Sequence, residues 1–365
     1  VDGSGAEGRP ASIFGGRTPA VRGAIYGLAA ATLFGLSAPF AKALLPSIPS
    51  LMLAALLYLG AGLAMLVIAP LTSRKRRHEA ALRRSDIPLL IGITVSGGVI
   101  GPLLLLVGLR LVSGVAGSLL LNLEAVFTML IAVLIFREHL GKRESIAAAV
   151  IILGAAVLGY SPGQAHADWR GVLAISGACL AWGLDNNLTQ RLSVKDPFAI
   201  VRIKALGAGT FSLVLALLIG QRIPGIRIIA AAVVLGIFSY GMSILLDAYA
   251  LRHLGAAREA AFFATAPFIG ALGAVPILGE YPRLIDFGGM LAMAAGVILL
   301  LRPNHDHVHA HVAMSHEHMH VHDEHHRHSH PDGEHEGESH SHPHLHDPVT
   351  HSHPHVSDVH HRHEH

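Results

Sequence analysis

The 365-residue chain is 52% hydrophobic and only 14% charged, against roughly 25% charged in soluble domains, which leaves too little polarity to wet a globular surface. Much of that polarity falls after Arg302, so residues 20–301 are more apolar still. A net charge of +2 suggests no nucleic-acid partner, and the single cysteine, Cys179, excludes an intramolecular disulfide and a cysteine-based metal site.

The first 19 residues are Gly-rich and polar without the apolar core of a secretory signal, and they read as a loose cytosolic leader. Beyond them, crossing about 30 Å of hydrocarbon takes about 20 apolar residues of helix. Such runs recur, at Val21 to Leu44, Leu51 to Leu71, Ile87 to Leu109, Ala116 to Phe136, Ile146 to Tyr160, Val172 to Leu192, Phe198 to Gly220, Ile228 to Leu251, Ala260 to Leu278 and Leu284 to Leu301. The expected fold is an all-α integral membrane protein of about ten transmembrane helices.

Lys and Arg resist translocation, so basic loops stay cytoplasmic. Arg74, Lys75, Arg76, Arg77, Arg83 and Arg84 crowd the connection between the second and third spans, whereas Ser161 to Asp168, between the fifth and sixth, carries no Lys or Arg. This asymmetry places the amino terminus in the cytoplasm and, after ten crossings, the carboxyl terminus too, with a bacterial inner membrane as the expected site.

The spans also repeat. Arg22, Gly23, Gly35 and Leu36 recur at the same spacing as Arg170, Gly171, Gly183 and Leu184, pairing the first span with the sixth. Leu109, Arg110, Glu138 and Gly154 recur as Leu251, Arg252, Glu280 and Gly296, pairing spans three to five with eight to ten. Five is odd, so the second copy enters the bilayer with opposite orientation, the inverted arrangement of many secondary carriers. The expected organisation is a leader (1–19), a first five-helix repeat (20–160), a linker (161–169), a second five-helix repeat (170–302) and a disordered tail (303–365).

Several motifs fall in a telling order: Leu33-Phe34-Gly35-Leu36 after Arg22-Gly23, Asn122-Leu123-Glu124-Ala125-Val126-Phe127, Phe136-Arg137-Glu138, Ala181-Trp182-Gly183-Leu184-Asp185-Asn186-Asn187, and Gly279-Glu280. In these residues the chain resembles the drug/metabolite transporter superfamily, specifically its EamA-type permeases, over residues 20–301. The resemblance implies a ten-helix permease, commonly an exporter of metabolites, amino acids or drugs, and fixes no substrate.

An ionisable side chain at membrane depth costs roughly 2.5–3.5 kcal/mol on insertion scales, so it faces a cavity or a partner. Glu124 lies near the middle of the fourth span with Thr128 one turn away; it reads as a proton- or cation-binding carboxylate, or else as a packing carboxylic acid held neutral by a hydrogen bond. Trp182, Asp185 and Thr189 share one face of the sixth span, with Asn186 and Asn187 splayed elsewhere, and Tyr240, Ser243 and Asp247 share one face of the eighth. Lys204 enters early in the seventh span and Glu259 stands at the mouth of the ninth. Asp185, Lys204, Asp247 and Glu259 all belong in the cytoplasmic half, and Lys204 should pair with one of the acids in an inward-opening vestibule unless it snorkels to the interface. Glu138 and Glu280, at equivalent repeat positions, read as hydrogen-bond partners of neighbouring helix ends.

Of the 28 histidines, all but His78, His139, His166 and His253 lie in the tail. Imidazole is mostly neutral at pH 7 and offers a lone pair to borderline metals, so His305, His307, His309, His311, His316, His318, His320, His322, His342, His344 and His346 are expected to bind Zn²⁺, Ni²⁺, Co²⁺ or Cu²⁺ in overlapping sites. The tail reads as a metal-responsive regulator or buffer, a delivery arm for metal transport, or an incidental binder. No imidazole or cysteine pair lies deep in a span, which lowers the metal-carrier reading.

The leading expectation is a secondary carrier exporting a small metabolite, amino acid or drug-like solute by proton exchange, rocking two repeats around a cavity lined by spans 1, 3, 4, 6, 8 and 9. A divalent-metal efflux permease and a membrane-anchored metal buffer without transport are the alternatives. The partners are the lipid bilayer, a small solute and transition metals at the tail, with a homodimer left open and no cofactor required. No nucleophile elbow, phosphate loop or metalloprotease helix points to an enzyme.

Overall fold

In a computed structural model, residues 19–71, 81–136, 141–159, 168–192, 195–254 and 256–301 are described, together with the backbone of four short tail segments; the side chains of 19, 20, 71, 136, 251–253 and 256–258 are not. The helical rods in chain order are α1 (Val21–Leu44), α2 (Ser50–Pro70), α3 (Arg84–Leu111), α4 (Gly114–Ile135), α5 (Lys142–Gly159), α6 (Trp169–Gln190), α7 (Pro197–Leu218), α8 (Ile226–Ala250), α9 (Glu259–Leu278) and α10 (Leu284–Leu301). Eight of these are long and apolar enough to cross a bilayer; α5, which starts Lys-Arg-Glu, and the more polar α6 pack into the same bundle. In lipid every backbone group must be satisfied within the segment, which is why long apolar stretches become helices here. Large apolar side chains such as Leu134, Leu218, Leu272 and Leu291 point outward around the bundle, as a hydrocarbon solvent permits.

The packing obeys the repeat. α1 lies on α8 as α6 lies on α3, while α5 meets α10, α2 meets α7 and α4 meets α9 across the pseudo-two-fold. Irregularities recur as well. α3 carries a π-helical stretch at Thr94–Ile100 and α8 carries one at Ile237–Met242, and α4 and α9 both break near mid-length, at Leu121-Asn122 and at Ala264-Thr265. The π-turns sit at matching places in both copies, and such turns inside helices cluster at functional sites.

We call the end where α1 begins proximal and the other distal. Distal turns meet one another: Arg110 reaches Ser50 Oγ at 2.9 Å and the Ile48 carbonyl at 2.6 Å, and the Asp168 amide donates to the Leu111 carbonyl at 3.3 Å. At the proximal end Lys195 Nζ lies 3.3 Å from the Ala81 carbonyl.

In the tail, the described backbone forms two antiparallel pairs, Asp306–Ala310 with Thr350–Pro354 and Met314–His320 with His340–His346. Alternating His-x-His sequence has the period of a strand. The proposed metal-binding side chains, from His305 to His346, lie outside the described residues, as do Glu138, the leader and the basic loop at Arg74–Arg77.

Candidate substrate and coupling site

The site is built on the π-turn of α3. The Gly101 amide donates to the Ser96 carbonyl, five residues back, and so skips the Gly97 carbonyl that an α-helix would have used. That carbonyl instead accepts Tyr58 Oη at 2.7 Å and Trp182 Nε1 at 3.1 Å, tying α2 and α6 to α3. The same slip occurs in α8, where the Ser243 amide donates to Phe238.

Absent side chains matter as much. A Cβ on Gly97 would fall 2.1 Å from Asp185 Oδ2, and one on Gly98 would fall 2.6 Å from the Ala208 Cβ and 3.6 Å from Lys204 Cγ. The glycine pair lets α6 and α7 close over α3, and there Lys204 Nζ makes an ion pair with Asp185 Oδ2. Thr189 Oγ1 supports the other carboxylate oxygen at 3.4 Å. Asp185 is buried and Lys204 is 18% exposed, so both charges are largely removed from solvent. Of the acids that the sequence offered to Lys204, the structure selects Asp185.

Beside this pair, Glu124 lies in the first turn of the second half of α4, just past its break. Asn186 Nδ2 donates to Glu124 Oε1 at 2.9 Å and to Thr128 Oγ1 at 3.2 Å. Asn187 is buried and donates to the Thr128 and Gly183 carbonyls, a packing role. Across the centre, Tyr240 stacks 5.6 Å from Tyr58 and 6.0 Å from Phe34, and Phe34 lies 5.2 Å from Phe263. Ser243 Oγ donates to the Ala30 carbonyl at 3.1 Å, binding α8 to α1. Asp247 and Glu259 are not in the ion pair; their carboxyl groups face each other between α8 and α9.

Tyr58 and Phe263 escaped the sequence reading, and Phe34 entered it only as part of a motif. Tyr58 does stand out, as the one aromatic in the otherwise aliphatic α2. The others carry no such signal, because aromatic residues in apolar helices are common packing groups.

Repeat-equivalent positions differ in exposure. In α4, Gly114–Leu123 are all buried, whereas their counterparts in α9 from Glu259 to Thr265 are half-buried or exposed. Ser118 is fully buried and its equivalent Ala260 is exposed; Ala38 is fully buried and its equivalent Asn186 is exposed. Leu105 in α3 is 2% exposed while its equivalent Asp247 is partly exposed. The more exposed positions, Asn186, Asp247 and Glu259 among them, gather at the proximal end, and the matching distal positions are small or apolar.

Comparison with known proteins agrees with this architecture. The profile of the EamA-like transporter family matches twice, at residues 21–160 and 169–302, once per repeat. The chain belongs to the EamA-like transporter family. A protein of Methanothermobacter thermautotrophicus (strain Delta H) described as an uncharacterized transporter is 31% identical over 289 residues, spanning 75% of this chain and 84% of that protein. A solved structure titled only as the crystal structure of a protein superposes with a TM-score of 0.57 at 18% identity, covering 76% of this chain and 97% of its own, which supports the fold. This EamA-like transporter is thus a membrane protein of a transporter family, and its two halves are the two family domains.

Proposed function

We propose that this chain is a secondary carrier that exports a small organic solute, a metabolite, amino acid or drug-like molecule, in exchange for protons. In this reading the proximal end faces the cytoplasm, both termini are cytoplasmic, and a crevice at Asn186, Asp247 and Glu259 admits the solute. The aromatic group of Phe34, Tyr58, Trp182 and Tyr240 forms the apolar wall against which it rests.

One observation carries the coupling assignment. Lys204 is committed to Asp185, whereas the donor to the Glu124 carboxylate is the neutral Asn186. A carboxylate held at membrane depth by a neutral amide gains most from taking up a proton or a cation. Glu124 is therefore the proton site, and Asp185, the other candidate from sequence, is occupied by its lysine.

The test is direct. In proteoliposomes containing a pH-sensitive dye, a solute that moves protons through the unaltered chain should move none through Glu124→Gln, while D185N/K204M retains coupling. Solute-driven proton movement through Glu124→Gln would refute the assignment.

A further inference from the structure

Alternating access needs something to hold the closed end shut, and at the distal end two charged side chains, Glu280 and Lys42, hold one turn. The first amides of a helix and the last carbonyls of another lack partners within their own helices. At the turn joining α3 to α4 both sets are exposed together. The Gly114 and Val115 amides donate to Glu280 at 2.7 Å and 3.0 Å, one to each carboxylate oxygen. On the other side, Lys42 Nζ donates to the Leu109 and Val112 carbonyls at 2.6 Å each. The turn is thus clamped between the end of α1 and the segment that follows α9, and Glu280 makes the contact between the two repeats.

Beneath the clamp the chain is sealed by backbone. A Cβ on Gly270 of α9 would lie 2.5 Å from the Gly35 carbonyl oxygen of α1 and 2.9 Å from Ser118 Oγ of α4. Above it lies a cavity of about 600 Å³, lined among others by Lys42, Arg110, Glu280 and Arg283. The cavity ends at the clamp.

We propose that Glu280 is the distal latch of the transport cycle. Its carboxylate holds the segment after α9 against the start of α4 while the proximal crevice is open, and releases both amides when the distal cavity joins the central site. Lys42 steadies the same turn from α1. The role rests on the alternating-access reading above, but its readout is accessibility and needs no solute.

Ser118 lies just below the clamp, and its hydroxyl is buried without a hydrogen-bond partner, so Ser118→Cys alters little. With Cys179 replaced by Ser, full-length S118C and A260C chains in nanodiscs are exposed to a water-soluble maleimide. With Glu280 intact, A260C should label fast and S118C slowly. Glu280→Ala should raise the S118C rate by about tenfold or more, the order expected for losing charge-assisted hydrogen bonds, and lower that of A260C. Glu280→Gln should fall between, and Lys42→Met should shift the rates the same way. Unchanged rates in a folded Glu280→Ala chain would overturn the latch, and so would a joint rise at both positions, which marks general loosening. Either result leaves the carrier reading standing if solute still drives proton movement.

Discussion

Replacing Asp185 by Asn should cost about 3–5 kcal/mol of stability, the range for removing one partner from a buried ion pair and stranding the other. The double replacement D185N/K204M should recover most of that loss, since an apolar side chain of similar length fills the space of Lys204 without a charge to bury. The physical case is the position of the pair. Lys204 and Asp185 meet over Gly97-Gly98, where α3 offers no side chain and its one freed carbonyl is already taken by Tyr58 and Trp182. Without the Asp185 carboxylate, the Lys204 ammonium loses the partner it bonds and faces a protein wall on the α3 side. Thermal unfolding of the four chains of the cycle in one detergent measures the coupling energy. Additive losses, with the double variant as unstable as the two singles combined, would show that the pair contributes through packing alone.

The second large effect concerns the crossing of α2 and α8. A Cβ on Gly236 would lie 2.1 Å from the Leu57 carbonyl oxygen, and one on Gly60 would lie 2.3 Å from the Val233 carbonyl oxygen. Both obstacles are backbone, which cannot rotate aside as a side chain tip can. Gly236→Ala should therefore force the helices apart at about 1–3 kcal/mol, the usual cost of overpacking, and the cost should fall on function as well. Gly236 immediately precedes the π-turn of α8 that carries Tyr240, so separation at this crossing moves Tyr240 away from Tyr58. Lower melting temperature together with a changed tyrosine fluorescence is the expected result for Gly236→Ala. Gly288, around which an added Cβ meets nothing within 4 Å, provides the control, since its alanine variant should melt with the unaltered chain.

The spans were legible because hydrocarbon imposes one requirement on every segment, and apolar runs satisfy it visibly. The expected Val21 to Leu44 and Leu284 to Leu301 coincide with observed helices and the others shift by a few residues at their ends, but among the described residues only eight of the ten are long and apolar enough to cross a bilayer, α5 and α6 not among them. The inverted repeat was legible from a handful of Arg, Gly and Glu positions. The π-turns were not, because they are a slip of one hydrogen bond in the backbone register and leave only an unremarkable Gly-Gly in α3. The choice of Asp185 over Asp247 and Glu259 as the partner of Lys204 was also hidden. A sequence says that a buried lysine wants an acid, but which helices adjoin is a matter of packing, and α6 and α7 meet across α3 only because Gly97 and Gly98 let them. Glu280 was read as a helix-end partner and is one, whereas Lys42, its companion on the same turn, stood out in no way from a lysine near a membrane interface.

In the proposed carrier, one chamber between the inverted repeats is open on the cytoplasmic side and sealed on the other. The repeat-equivalent residues Asn186 and Ala38 report on it with a single reagent, because one is exposed and the other fully buried. In chains with Cys179 replaced by Ser, a membrane-impermeant maleimide should modify N186C in inside-out vesicles and leave it untouched in intact cells, while A38C resists from both sides. Rapid modification of N186C from outside intact cells, or equal rates at the two positions, would contradict the account.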